Sequence, residues 1–438
     1  MKKRAQAAIL VASILAVAAC SSVDHYEGID AAVASGDFPK AYALVQKESD
    51  EGYAKKDRVL YHLDAGLLAH YAGLSKESYT LLGKAERGIE AAFTKSVSQA
   101  VASYLVNDNT KEYPGEDYED IYLNAIKAID YYKSGSLEGA MVEIRRIDNK
   151  LKFLSTKYGT SVSNAQKAAL EKGAQVPVDP DSATIRFNNS ALARWLSMLF
   201  YRGVGRPDDA RIDRDQVKLA FANQRHLYPF PVPSSLDEEL SVPRAKARLN
   251  VLCLVGLSPV KEEHVVRIPL DGGNWVKVAV PAIVARPSVV ARSEVLVEGV
   301  GIFPLETIED ISAVAVETFK QRAALIYFKT IVRSIAKTAS SIALDEGADD
   351  VGGNAGIALK LFSLGAQVYA EASEQADLRL SRYFPARALV GGITVDPGRY
   401  TIIVRHYNAA GRIVHEERFA DVDILANRLN LMEAVCIK

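Results

Sequence analysis

The chain has 438 residues and carries 53 Lys and Arg against 54 Asp and Glu. That balance gives no argument for nucleic-acid or polyanion binding, which draws on a basic excess. The length suggests two or three domains.

The first residues read as an export signal. Met1-Lys2-Lys3-Arg4 is a basic n-region, and Ala5 to Ala16 is mostly apolar with small side chains. Val17-Ala18-Ala19-Cys20 resembles the lipobox of bacterial lipoprotein precursors, in which small residues precede the cut and the cysteine thiol takes a diacylglycerol. On this reading residues 1–19 are a signal peptide and Cys20 is the lipidation site. Removing 1–19 deletes three basic residues and no acidic one, leaving a formal charge of −4. One acyl chain anchors only marginally, so the several chains of an acylated cysteine would hold the protein on a membrane. By the same resemblance, Ser21 after the cysteine points to the outer membrane, facing the periplasm.

Residues 20–228 read as a helical domain. Leu60, Leu63, Leu67 and Tyr71 recur at steps of three or four and form one helical stripe. Gly66 lies on its inner side, where another backbone can approach. Gly73 then supplies the left-handed residue that stops a helix. Ser75 is expected to cap the next helix, whose stripe is Leu81, Leu82, Ala85 and Ile89. The same grammar, a glycine with Ala or Ser five residues on, recurs as Gly36/Ala41, Gly135/Ala140 and Gly205/Ala210. It resembles tetratricopeptide (TPR) repeats, helical hairpins that stack into a solenoid, although the steps between glycines are uneven. An ordinary helical bundle is the alternative. Acidic residues 116–120 suit a helix start, and they lack the spacing of a calcium loop. Residues 172–184 read as a linker, and the alternating prolines of Tyr228-Pro229-Phe230-Pro231-Val232-Pro233 end the helical half in an extended stretch.

Residues 244–438 read as a β-rich domain with a helical insertion at about 309–376. Arg248–Leu257, Val265–Leu270, Trp275–Val280 and Val289–Val297 are β-branched runs, and Asp271-Gly272-Gly273-Asn274 is a hairpin turn. Ile311, Val314, Leu325, Phe328, Val332, Ile335 and Ile342 form a long helical stripe. An acidic loop at 345–354 and an apolar helix at 355–372 follow, the latter buried between neighbours or lying on a membrane surface. Asp396-Pro397-Gly398 is expected as a type II turn with glycine at positive φ, and Asn408-Ala409-Ala410-Gly411 as the next turn of a β-meander. The expected fold is therefore α+β: N-terminal TPR-like hairpin repeats followed by a β-sandwich-like domain with a helical insertion.

Little in the sequence carries chemistry. The seven histidines are scattered, and no HExxH, CxxC or GxSxG pattern occurs. Ser258-Pro259-Val260-Lys261 and Ser334-Ile335-Ala336-Lys337 match SxxK without its companion motifs. No catalytic residue, metal site or cofactor is assigned. Cys253 and Cys436 lie in apolar segments and read as buried thiols, or as a disulfide if the segments are neighbouring strands. Arg333 and Lys337 share a helix face, and Asp377 and Arg379 follow the insertion. The four form either a charged groove or salt bridges that hold helices in place.

Ala376-Asp377-Leu378-Arg379, Phe384-Pro385-Ala386, Gly205-Arg206-Pro207-Asp208-Asp209-Ala210 and Val395-Asp396-Pro397-Gly398-Arg399-Tyr400, with the lipobox and repeats, resemble a family of uncharacterised bacterial lipoproteins with TPR-like repeats. The resemblance implies a non-catalytic scaffold with a protein partner in the cell envelope, held to the membrane by its lipid. The alternative is a module that binds an envelope lipid or a cell-wall fragment through the β-rich domain and the 355–372 helix. Cys20→Ala is expected to abolish radiolabelled palmitate incorporation and to release the protein from the detergent phase. Label retained in that variant would place the lipid elsewhere.

Overall fold

The structure is a computed structural model that describes residues 25–98, 108–171, 184–269, 275–350 and 375–438. Cys20, the 271–274 turn, most of the 172–184 linker and the apolar stretch 355–372 lie outside the described residues.

The front half is helical: α1 (Tyr26–Ser35), α2 (Phe38–Lys47), α3 (Arg58–Tyr71), α4 (Ser75–Ser98), α5 (Asp117–Lys133), α6 (Leu137–Leu154), α7 (Gly159–Glu171), α8 (Ala191–Gly203) and α9 (Pro207–Asn223). Gly36, Gly73, Gly135 and Gly205 join four hairpins with φ of 81°, 77°, 82° and 70°. At each, the residue after the glycine donates its N–H to the carbonyl five residues back: Asp37 to Ala32, Leu74 to Ala69, Ser136 to Tyr131 and Arg206 to Tyr201. This is the Schellman closure, which satisfies carbonyls left open at a helix end. The small residue five positions on, Ala41, Ser78, Ala140 or Ala210, is fully buried in every case. A Cβ at Gly66 would lie 2.7 Å from the Leu82 side chain and 3.2 Å from its backbone nitrogen, so α3 and α4 touch there. Ser75 is the first residue of α4 rather than its cap.

The rear half holds β1 (Ala247–Leu257), β2 (Val260–Pro269), β3 (Trp275–Val284), β4 (Arg292–Val297), β5 (Gly301–Asp310), α10 (Ile311–Asp350), β6 (Pro385–Val395), β7 (Gly398–Tyr407), β8 (Ile413–Ile424) and β9 (Asn430–Cys436). Seven strands form one sheet in the order β8-β7-β4-β5-β6-β1-β9, and β2-β3 is a separate antiparallel ribbon. The sheet curls until its edges approach, and the Val435 N–H on β9 donates to Glu417 on β8 at 2.9 Å. Side chains alternate across it. Val251, Cys253 and Val255 of β1 fill the inside of the curl with Val295, Val297 and Ile402, while Leu252 and Leu254 face the helices.

Several expectations change. The β-sandwich does: among the described residues seven strands curl into one nearly closed sheet, and the two others form a separate ribbon. The insertion begins at Ile311, because residues 309–310 complete β5. Residues 345–350 belong to α10 rather than to an acidic loop. One glycine costs roughly 1 kcal/mol and does not stop a helix that is already propagating. Asp396-Pro397-Gly398 is a corner, not a hairpin turn. Gly398 opens β7 without a left-handed φ, and β6 and β7 are not neighbours in the sheet. β6 is already paired on both sides, to β1 and β5, so the chain must bend away to β7. The Asn408–Gly411 turn forms as expected, with Asn408 Oδ1 accepting from the Ala410 and Arg412 N–H groups. Cys253 and Cys436 are buried free thiols on neighbouring parallel strands, two residues out of register.

Helices and sheet share one core, in which Leu63, Tyr122 and Trp195 join Leu254, Ile308 and Val390. The proline run at 229–233 packs against it rather than swinging free, with Phe230 and Val232 half-buried. A buried ion triad crosses the seam. His70 Nδ1 lies 2.8 Å from Asp130 on α5, and Nε2 lies 3.0 Å from Glu433 on β9. Burial alone would lower the His70 pKa, but the two carboxylates outweigh it and hold it up to about 9.

Two outcomes follow from these contacts. A Cβ at Gly135 would meet nothing within 4 Å, so Gly135→Ala carries only torsional strain. It should lower unfolding free energy by about 1–2 kcal/mol in urea titrations. His70 is raised in the fold, so its contribution is complete below its unfolded pKa near 6.5 and is lost as pH climbs through about 9. Wild-type stability should fall by on the order of 3 kcal/mol across that window. His70→Gln should flatten the decline and be less stable at pH 6.5 by roughly 3–5 kcal/mol.

Candidate ligand-binding cleft

The start of α5 sets the geometry of a cavity lined by the helical half and the rear half. Gly115 adopts φ of 70°, and a Cβ there would strike Ile89 at 2.7 Å. Glu116 then caps α5, with the Glu119 carboxylate accepting the Glu116 N–H at 2.7 Å in a capping box. The acidic helix start expected from residues 116–120 is present, but Glu116, Asp117 and Glu119 are buried rather than solvated.

Buried carboxylates need partners, and distant elements supply them. Lys261 at the start of β2 reaches Glu116 Oε1 at 2.5 Å, and Arg322 of α10 lies 3.2 Å from Oε2. Lys157, between α6 and α7, reaches Asp117 at 2.6 Å. Above this floor opens a cavity of about 380 Å³, walled by α4, α10, the β2–β3 ribbon and residues 375–377.

Its charge is lopsided. Lys95, Lys111, Lys157, Lys261, Arg322, Lys329 and Arg333 line it, against Asp108, Glu112, Glu116 and Asp377. Arg322, Ile326, Lys329 and Arg333 follow one another at helical spacing and bring one face of α10 into the cavity. Burial pushes the Lys329 ammonium below its usual range. Asp108 opposes the shift, while Lys111, Arg322 and Arg333 add to it. Ile89, Phe93, Leu325 and Ile326 give the walls an apolar component.

Arg333 and Asp377, two of the four residues expected in a charged groove, both line this cavity. Arg379 does not line it. It acts as a clamp behind the wall, binding Asp377 at 2.7 Å and Asp57 at 2.7 Å and donating to the carbonyls of Lys111 and Asp108. Those contacts hold Asp377 ionised, with its pKa down to about 2: burial opposes this, and the Arg379 hydrogen bonds and charge outweigh it. Lys337 lies on α10 outside the residues whose side chains are described. Of the SxxK matches, Ser258 is fully buried and Lys261 is taken by Glu116 and by the Arg379 carbonyl.

Residues 376–384 form an extended strap that runs from the cavity across the helices to β6. Ser381 donates its backbone N–H to Glu119 Oε1 at 2.7 Å and its hydroxyl to Asp64 Oδ1 at 2.7 Å. The Arg382 N–H donates to the same Asp64 oxygen, and Tyr53 and Tyr26 donate to the other. Asp30 takes the Arg382 guanidinium at 2.5 Å and the Tyr383 hydroxyl at 3.0 Å. Sequence reasoning singled out both ends of this strap by resemblance, read Glu119 only as part of an acidic helix start and missed Asp64, for which a carboxylate within an apolar helical stripe was the available signal.

No protein-family profile, curated protein or solved structure matches the chain.

Burial, reinforced by the Glu116 charge, raises the Glu119 carboxyl to about 7, although three hydrogen bonds oppose the shift. A carboxyl raised in the fold makes ionisation costly. The protein should therefore lose stability as pH rises from the usual value near 4.5 to about 7. Glu119→Gln should lessen that decline by on the order of 2–3 kcal/mol, read from urea midpoints at pH 4.5 and 7. An unchanged slope would assign the proton to another group.

Proposed function

We propose that this protein is a lipid-anchored, non-catalytic binding module of the bacterial cell envelope, and that it takes an anionic ligand in the cleft between α10, the β2–β3 ribbon and the start of α5. The single observation that supports this most is the lining of seven cationic against four acidic side chains. The chain as a whole is close to neutral, so the cation excess is local to the cavity. Like charges gathered in a partly buried space repel one another; pairs such as Lys95 with Glu112 and Lys111 with Asp108 offset that repulsion in part, and a bound anion would offset more of it. The volume falls within the usual range for small-molecule sites.

A protein-interaction scaffold is the second reading. Four hairpins closed by one turn, each with a small buried residue at the helix contact, favour TPR-like repeats. A stacked array of that kind offers its inner surface to an extended peptide. Here the chain's own strap takes up Asp30, Asp64 and Glu119 as such a peptide would. A partner protein in the envelope would therefore meet the outer helix faces. Anchoring through Cys20, with the bulk of the chain in the periplasm at the outer membrane, belongs to either reading. No helix among the described residues is long and apolar enough to cross a membrane.

Isothermal titration with inorganic phosphate at low ionic strength tests the cleft. Wild-type protein should bind, and Lys329→Met should bind at least about tenfold more weakly, as the loss of one charge-assisted contact implies. Identical isotherms for the two, or no heat from either, would move function away from this cavity.

A further inference from the structure

A second cavity of about 310 Å³ adjoins the first and shares Ile89, Phe93 and Lys157 with it. Its chemistry differs. Glu86 receives Lys127 at 2.7 Å, Lys150 at 2.8 Å and Arg146 at 3.0 Å. Lys150 also reaches Asp120, and Lys157 is held by Asp117. Its lining holds three basic against four acidic side chains, so it offers no surplus of cations. What it offers is apolar surface. Phe153 stands 49% exposed, which is high for a side chain of its size, and Phe93 meets it edge to face at 5.4 Å. Ile121 and Leu154 are buried beneath them. Water against these rings is unfavourable, and a hydrocarbon segment would displace it.

We propose that the ligand is an anionic amphiphile: its anionic group sits among the cations of the first cavity, and an unbranched apolar chain runs past Phe93 into the second cavity, against Phe153. This rests on the anion-binding reading of the first cavity and adds the chemical class of the ligand. The order of the two parts is fixed by charge. An anion has no surplus cation to meet in the second cavity, and an alkyl chain in the first would bury Lys329 and Arg333 against hydrocarbon. A membrane phospholipid and a soluble alkyl phosphate share this chemistry.

Titration with octyl phosphate, inorganic phosphate and octyl glucoside, each below its aggregation limit, separates the claims. Each methylene buried raises affinity about fourfold, so an octyl chain that buries about three or four of its methylenes should make octyl phosphate bind on the order of 100-fold more tightly than phosphate. Phe153→Ser, a change at a half-exposed side chain, should cut that advantage at least tenfold and leave phosphate binding unchanged. Phe153→Trp gives an independent readout: its fluorescence should be quenched by octyl phosphate brominated on the chain. Equal affinities for octyl phosphate and phosphate, or no quenching, would overturn the amphiphile while leaving the anion site standing. Octyl glucoside binding as tightly as octyl phosphate would overturn the assignment of the head to the cations. Silence with both phosphates would remove the anion site and this inference together. Extraction of lipid from phosphatidylglycerol vesicles, with none from phosphatidylcholine vesicles, would support the amphiphile as a membrane lipid. Octyl phosphate binding without extraction would support it as a soluble molecule.

Discussion

Asp64 and Glu119 are carboxylates with no access to water, and both accept hydrogen bonds from the strap at Ser381. An unpaired carboxylate in such a place would cost several kcal/mol, so these groups are stable only while the strap is seated. Tyr26, Tyr53 and Tyr113 supply further donors from the helical half. The strap in turn delivers Phe384 and Pro385 to the start of β6, a central strand of the curled sheet. Sheet, strap and helices therefore share one core and one set of buried hydrogen bonds. Both carboxylates hold the segment that carries the cleft wall and the entry to β6.

The cleft is a consequence of that arrangement. Arg379 holds Asp377 at its edge, and Lys261 bridges Glu116 to the Arg379 carbonyl. Lys261 and Arg322 are engaged with Glu116 at the floor, and Lys329 and Arg333 of α10 line the cavity above them. A site of this kind is held in shape by its own ion pairs and does not wait for a ligand to assemble it. Preorganisation of that sort favours affinity, because little ordering is left to be done on binding.

The hairpins were legible from the sequence because their signals are local. A left-handed glycine, the small residue five positions on and the flanking apolar stripes all fall within one turn and two helices. The four turns were found at Gly36, Gly73, Gly135 and Gly205 for that reason. Asn408–Gly411 was legible on the same basis. The Asp396-Pro397-Gly398 corner was misread because a turn's local chemistry does not say which strands will pair. Residues 345–350 were misread because helix propagation from Ile311 overrides one glycine. Arg333 and Asp377, which the sequence points to, line the cleft; Glu116, Lys261 and Arg322 at its floor are joined only by the fold.

The sequence alone determined the division into a helical front and a strand-rich rear, the turn that closes each hairpin, and the apolar faces to be buried. These are set by periodicity and backbone torsion, which act over a few residues. Tertiary structure decided strand order, the curl of the sheet and every charge pairing that makes the cleft. Glu116 meets Lys261 across 145 positions, Glu119 meets Ser381 across 262 and Asp64 meets Ser381 across 317. Such contacts form only when the chain has closed on itself, and no local rule pairs one carboxylate with one distant donor among many.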